Sequence, residues 1–207
     1  MRAMTIARFG GADALECRLL SESPPADNEV VLRVMAAGVN PVDRKMREGI
    51  MPQFLDADGL PAVLGCDVAG VVEAVGSGVR GWSIGDQCMA MTPDHQGGYA
   101  DRVTIGSDLL APIPPTLVFT EAAAMPLAGL TAWQGLVTHG ALRRGSRVLI
   151  HAAAGGVGHF AVQIARAAGA TVFATASGFA SWLCCGPRGR SRHRLQDRTV
   201  RRHGGRY

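Results

Sequence analysis

The sequence predicts a mixed fold, α+β in its first part and α/β in its second, on three observations. Residues 1–110 contain short β-branched segments separated by glycine, proline and aspartate, a pattern typical of a mostly β region. Residues 120–140 predict a helical region. Residues 147–177 predict a strand, a glycine turn, a helix and a second strand, which is the βαβ unit of parallel sheets.

The β region is predicted in detail from its segments. The candidate strands are residues 4–9, 15–19, 29–38, 68–75, 87–91 and 100–105. Residues 4–9 and 15–19 are close enough to pair as a hairpin. Gly70 lies inside one of these strands, and an internal glycine indicates a bulge or a tight bend.

In the helical region, Thr120 precedes a glutamate and three alanines and is the predicted N-cap. Pro126 interrupts the region, because proline removes a helix hydrogen bond and clashes with the preceding turn. We therefore expect two short helices or one kinked helix.

The βαβ unit carries the most specific motif. Its first strand, 147–151, leads into Ala153-x-Gly155-x-x-Gly158, and a helix follows over residues 159–168. The first N–H groups of a helix have no intrahelical acceptor and attract a phosphate. A tight turn alone also explains such glycines, but a strand before them and a helix after them favour a dinucleotide site.

Charge, cysteine content and hydropathy indicate a cytoplasmic protein without disulfides or a membrane span. Residues 1–180 hold 13 basic and 16 acidic side chains, whereas residues 181–207 hold eight arginines and one acid. The net charge of +4 therefore comes from the last 27 residues. The five cysteines are odd in number and lack C-x-x-C spacing, which favours reduced thiols in a cytoplasmic protein. No apolar segment reaches the roughly 18 residues that a membrane span needs.

Seven ordered segments resemble the medium-chain dehydrogenase/reductase superfamily, in its zinc-free quinone oxidoreductase branch. They are FGGADALE (9–16), AAGVNPVDRKMREG (36–49), LPAVLGCDVAGVVEAVGSGV (60–79), GWSIGDQC (81–88), GGYADRV (97–103), AAAMPLAGLTAWQGL (122–136) and the βαβ unit. The resemblance implies a GroES-like, β-rich catalytic domain over 1–119. It also implies the first βαβ portion of a Rossmann nucleotide-binding domain over 120–180. Homodimers are common among such proteins.

The tail, residues 181–207, fits neither domain, and we expect it to be disordered. A basic arm for nucleic acid is one interpretation, which we do not favour. Codons read one base later from Gly186 permit Ala-Leu-Gly-Ala-x-Ala-Val-Ile-Asp-Tyr-Lys-Thr-Glu-Pro-Phe, in the order that the family's next strand has. We therefore interpret the chain as truncated, with an out-of-frame end. Resequencing codons 178–186 is expected to reveal a slipped frame, and an uninterrupted frame there would contradict this interpretation.

The resemblance also argues against a bound zinc ion. In zinc-dependent relatives a cysteine near residue 40 and a His-Glu pair near residue 66 hold the metal, whereas this chain has Asn40 and Cys66-Asp67. The four-cysteine loop for structural zinc is missing too, so no metal is expected. The scattered histidines, at 95, 139 and 151, are predicted to be surface or packing residues.

The same resemblance implies the catalytic residues. Asn40 is the candidate that orients the carbonyl of the acceptor through its amide, and Asp43 would fix that loop. The alternative is structural: an Asx turn before Pro41, with Asp43 capping the next helix. Related quinone reductases often have a tyrosine near the acceptor where this chain has Met51.

For the cofactor, the resemblance implies that the Thr131 hydroxyl bonds the nicotinamide carboxamide, with an ordinary helix N-cap as the alternative. The backbone of Ala154, Gly155, Gly156, Val157 and Gly158 would hold the pyrophosphate. The second strand ends near Ser177 without the acid that NAD-specific folds use, which favours NADPH.

The expected activity is NADPH-dependent, zinc-independent hydride transfer to a quinone or another conjugated carbonyl. The expected partner is thus a small electrophilic carbonyl compound, with no nucleic acid and no membrane. The alternatives are an enoyl reductase acting on acyl thioesters and a non-functional truncated product.

Overall fold

The structure, a computed structural model, describes residues 1–95 and 97–176. It forms two compact units, Met1–Leu127 and a second that begins at Ala128. The strands are β1 (Arg2–Ile6), β2 (Leu15–Leu19), β3 (Glu29–Gly38), β4 (Ala62–Val63), β5 (Asp67–Val75), β6 (Gln87–Met91), β7 (Arg102–Gly106), β8 (Leu110–Pro112), β9 (Arg147–Ile150) and β10 (Thr171–Ala174). The helices are α1 (Pro41–Arg47), α2 (Phe119–Ala122), α3 (Pro126–Trp133) and α4 (Gly156–Ala167).

The first unit is built on an antiparallel sheet with the strand order β7-β3-β5-β6-β8. Alternate residues of its central strands face one core, as the period of two in a strand requires. Val30 and Leu32 of β3 are buried there with Val68 and Val72 of β5. A smaller sheet, β2-β1-β4, completes the unit.

The predicted irregularity at Gly70 is present. The register between β3 and β5 shifts twice, and Gly70 pairs with Val34 beside the second shift. A Cβ at Gly70 would lie 3.1 Å from the carbonyl carbon of Arg33 and 3.3 Å from the Cα of Val34. Glycine is therefore needed where the two backbones approach, as expected of a bulge.

The hairpin prediction is confirmed, since β1 and β2 pair antiparallel, with Met4 opposite Cys17. The first strand covers Arg2–Ile6 rather than residues 4–9. β4 and β8, which have two and three residues, were not predicted. Such segments are too short to show an alternating pattern.

Around Pro126 the expected break is present, because α2 ends at Ala122 and α3 begins at Pro126 itself. The N-cap prediction is wrong. The cap is Val118, and Thr120 lies inside α2. The carboxylate of Glu121 accepts the N–H of Val118 at 3.1 Å, which stabilises the earlier start. A π-helical segment, Gln134–His139, follows α3 and was not predicted.

The second unit contains the predicted βαβ arrangement. β9 and β10 pair in parallel, with Val148 opposite Val172, and α4 connects them. The buried face of α4 includes Val162 and Ala165, which pack with Ile150. The helix begins at Gly156, three residues before the predicted start, so the glycine motif overlaps its first turn.

Two predictions fall outside the described residues: the cofactor role of Ser177 and the tail 181–207. In the part of the chain that the structure describes, no helix has both the length and the apolar character needed to cross a membrane.

Candidate functional site

Asn40 and Asp43 lie together where β3 ends and α1 begins. Asn40 has extended backbone, with φ −118°, and is the N-cap of α1, while Pro41 occupies the first helical position. Proline suits that position because its missing N–H would have no helix partner there. The Oδ2 atom of Asp43 accepts the N–H of Asn40 at 2.7 Å. The helix-capping geometry considered for Asp43 is thus present.

Asp43 does more than cap the helix. Its side chain is only 3% exposed. The Tyr99 hydroxyl donates to Oδ2 at 2.7 Å and the Cys66 thiol donates to Oδ1 at 2.9 Å. Asp43 therefore accepts hydrogen bonds from three different parts of the chain, and it ties the loop at Asn40 to the segments that precede β5 and β7.

Both side-chain donors hold their protons firmly. Burial raises the pKa of the Tyr99 hydroxyl well above its usual value, and the hydrogen bond to Asp43 adds to the shift. Burial and the same carboxylate also raise the pKa of the Cys66 thiol. Cys66 is consequently a hydrogen-bond donor in this structure rather than a thiolate nucleophile.

Tyr99 reaches Asp43 because Gly65 leaves room for its ring. Gly65 has φ +105°, a backbone conformation that favours glycine, and a Cβ there would lie 2.6 Å from Cδ1 of Tyr99. Tyr99 was not among the predicted site residues. The only local signal for it is its place in the segment GGYADRV (97–103), one of those that carry the resemblance.

Asp67 is the second buried carboxylate at this site, and it was not among the predicted site residues. It begins β5 opposite Gly38 and is 1% exposed. Its Oδ2 atom accepts Nδ2 of Asn40 at 2.8 Å, and its Oδ1 atom accepts the N–H of Leu127 at 2.8 Å. The amide of Asn40 is thus held by Asp67 across 27 residues of sequence.

Asn40, Asp43, Cys66 and Asp67 are thus connected by hydrogen bonds, with Asp43 joining Cys66 to Asn40 and Asn40 joining Asp43 to Asp67. Among the described residues, no group of three or more histidine, cysteine, aspartate or glutamate side chains is arranged to hold a metal ion. His139 and His151 are exposed, and Nδ1 of His151 lies 3.1 Å from the Thr175 hydroxyl.

The glycines of the loop between β9 and α4 have two different roles, packing of the helix and exposure of the backbone. A Cβ at Gly158 would lie 2.6 Å from the Cα of Ala153, so Gly158 is required for close packing of α4 on the turn. A Cβ at Gly156 would meet nothing within 4 Å. Gly155, Gly156 and Val157 are exposed. An accessible backbone at the start of a twelve-residue helix fits an anionic phosphate.

The other predicted cofactor residues are placed as follows. Ala154 is half-buried in the same turn. Thr131 is exposed and lies inside α3, so it is not a helix N-cap, and that alternative is wrong. Thr131 lies four residues after Leu127 within α3.

Residues 26–115 match the family described as the alcohol dehydrogenase GroES-like domain. The chain is 37% identical over 177 residues to quinone oxidoreductase of Rattus norvegicus, which covers 85% of this chain and 53% of the relative. The chain thus spans about half the length of the quinone oxidoreductases it matches.

Solved structures support the same fold. The Escherichia coli quinone oxidoreductase complexed with NADPH superposes with a TM-score of 0.77 at 31% identity, over 89% of this chain and 55% of that one. The CurK enoyl reductase superposes with a TM-score of 0.80 at 35% identity, over 88% of this chain and 55% of that one. These likenesses confirm the predicted fold class: a GroES-like, β-rich domain followed by the beginning of a nucleotide-binding domain.

Proposed function

Because the chain belongs to the medium-chain dehydrogenase/reductase superfamily, among its quinone oxidoreductase-like members, we propose that it takes part in NADPH-dependent reduction of a quinone or another conjugated carbonyl. The catalytic domain of this proposal covers residues 1–119 and the nucleotide-binding domain begins at residue 120. The small electrophilic substrate, a homodimeric assembly and a cytoplasmic location belong to the same proposal.

The observation that carries the proposal is the accessible backbone between β9 and α4. Gly156 is exposed and has open space where a side chain would stand, while Gly158 packs the helix tightly onto the turn. The N–H groups there are suited to bind the pyrophosphate, and the helix dipole favours its charge. The Thr131 hydroxyl would bond the carboxamide. When bound, NADPH supplies the hydride.

On the acceptor side, the proposal assigns orientation to Asn40 and support to Asp43. A conjugated carbonyl gains negative charge on its oxygen as it is reduced, and an amide N–H can stabilise that charge. Asp43 is occupied as an acceptor by Tyr99, Cys66 and the backbone of Asn40. It therefore acts by holding the loop, and the proton that completes the reduction comes from solvent.

The preference for NADPH over NADH rests on the end of β10. NAD-specific folds usually place an acid there to bond the ribose 2′-hydroxyl. In this chain β10 ends at Ala174 and is followed by Thr175, Ala176 and Ser177, none of which is acidic. A 2′-phosphate would meet no carboxylate at this position.

The cofactor proposal predicts a selective effect of Gly156→Ala. The added methyl group has room in the protein and improves helix propensity by up to about 1 kcal/mol, so the fold is retained. It would occupy the space through which a pyrophosphate approaches the backbone. We expect NADPH affinity to fall about tenfold or more, measured by NADPH fluorescence during titration.

The matched control is Gly129→Ala in α3, where a new methyl group also meets nothing within 4 Å. It should leave NADPH binding within twofold. The titration is run on the 207-residue chain and on a version whose frame is restored after codon 177. If only the restored version binds NADPH, the result would favour the alternative that this chain is a non-functional truncated product. Absence of binding in both would contradict the cofactor proposal.

A second candidate function, an enoyl reductase acting on acyl thioesters, is favoured by the likeness to the CurK enoyl reductase. The two candidates differ in the acceptor. NADPH consumption measured with a naphthoquinone beside a crotonyl thioester separates them, and we expect the quinone to be the faster substrate. Faster turnover of the thioester would replace the first candidate by the second.

A further inference from the structure

The amide of Asn40 has a defined direction because of what lies beside it. An asparagine side chain can be rotated by half a turn about its last bond with little change in shape, which exchanges its donor and its acceptor. A carboxylate only accepts hydrogen bonds. Nδ2 of Asn40 lies 2.8 Å from Oδ2 of Asp67, so the donor end of the amide must face Asp67.

Asp67 is itself held in place. Its other oxygen, Oδ1, accepts the backbone N–H of Leu127 in the first turn of α3 at 2.8 Å. The carboxylate is 1% exposed, so water does not compete freely for these bonds. Two bonds from different parts of the chain therefore fix both the position and the rotation of the carboxylate.

Gly38 provides the space that the contact between Asp67 and Asn40 needs. Gly38 pairs with Asp67 across β3 and β5, two residues before Asn40. A Cβ at Gly38 would lie 2.9 Å from the Cβ of Asp67, 3.2 Å from its Oδ2 atom and 2.5 Å from the carbonyl oxygen of Ala123. Any larger residue at 38 would displace the carboxylate from Asn40.

We propose that Asp67 is the positioning residue for Asn40: it selects the rotamer of the Asn40 amide and so presents a donor in a fixed direction. One Nδ2 hydrogen binds Asp67, and the second Nδ2 hydrogen has no partner among the described residues. In the function proposed above, on which the catalytic part of this inference rests, that second hydrogen would bond the acceptor carbonyl.

The test is the side-chain amide resonance of Asn40, assigned in the full chain by its loss in Asn40→Ala. In the unsubstituted protein one Hδ2 proton should lie downfield and exchange slowly, because it binds a carboxylate. In Asp67→Asn, which keeps the size but replaces the charged carboxylate by a neutral amide with one acceptor oxygen, the downfield proton should move towards the position of a free amide, because Asn40 and Leu127 would compete for that one oxygen. Asp101→Asn is the matched control, since Asp101 is an aspartate that binds Arg2 at the surface.

A free-amide resonance in the unsubstituted protein would overturn the inference, even where Asp67→Asn fails to fold. So would an Asn40 resonance that stays the same in a folded Asp67→Asn protein. The functional arm, in whichever version turns over, expects kcat to fall on the order of tenfold with the KM for NADPH within twofold. Unchanged kcat would overturn the catalytic part. If no version turns over, the proposed function fails while the resonance still decides the positioning role.

Discussion

Gly158→Ala is expected to destabilise the second unit of the protein, so that α4 and β9 unfold locally more often. The new Cβ would lie 2.6 Å from the Cα of Ala153 and 2.9 Å from the carbonyl carbon of Ala152. Both are backbone atoms, so no flexible side chain can move aside. Overpacking of this kind typically costs 1–3 kcal/mol and occasionally more, and backbone clashes place this variant at about 3 kcal/mol or above.

The measurement is hydrogen exchange followed by mass spectrometry, which resolves separate parts of the chain. Peptides from α4 and from β9 should exchange about 100-fold faster in Gly158→Ala, since 1.4 kcal/mol corresponds to a factor of ten in opening. Peptides from β3 and β5, in the first unit, should keep their rates.

Gly156→Ala is the control, because it adds the same methyl group two residues away in the same helix turn. Open space surrounds that position, so protection of α4 should be kept or increased. Equal exchange in the two variants would mean that Gly158 does not pack against the turn in the way described. The pair also separates the glycine needed for packing from the one left open for a ligand.

The sequence predicts the regular elements well wherever one face of a long strand is buried. β3 was predicted from residue 29 to residue 38 and has those bounds, because Val30 and Leu32 alternate with less buried neighbours over ten residues. The short strands β4 and β8 depend on pairing with distant partners, and a segment of two or three residues carries no periodic signal of its own.

The site is harder to predict because its parts come from segments that are far apart in the sequence. Asn40 and Asp43 were found from a short local segment. Asp67 and Tyr99 lie 27 and 56 residues away from the atoms they bind. Their roles depend on Gly65 and on strand pairing, which local sequence does not reveal. The glycine motif could be predicted because the turn, the helix and the spacing between the glycines all lie within one short segment of the sequence.

Asp43→Ala is expected to destabilise the first unit by about 3 kcal/mol. The substitution leaves the buried Cys66 thiol, the half-buried Tyr99 hydroxyl and the N–H of the half-buried Asn40 without their acceptor. Unsatisfied buried donors cost about 1–3 kcal/mol each, and water entering the vacated space recovers part of that loss. The capping bond at the start of α1 is lost as well.

Urea unfolding followed by tryptophan fluorescence measures this effect, because Trp82 packs on the main core and donates to the carbonyl of Ser107 at 3.1 Å. Asp58→Ala is the matched control, since Asp58 is an exposed aspartate in the same unit, and it should change the free energy of unfolding by less than about 0.5 kcal/mol.

Combining Asp43→Ala with a second substitution distinguishes two roles for Asp43, support of the Asn40 loop and a direct part in the reaction. If it holds the Asn40 loop, Tyr99→Phe should remove one donor and cost about 1 kcal/mol, and the cost of Asp43→Ala should shrink when the two changes are combined. If the carboxylate served the reaction and not the fold, Asp43→Ala would match Asp58→Ala in stability. Non-additivity between positions 43 and 99 is therefore the result that makes Asp43 the support of the loop, and simple additivity is the result that contradicts it.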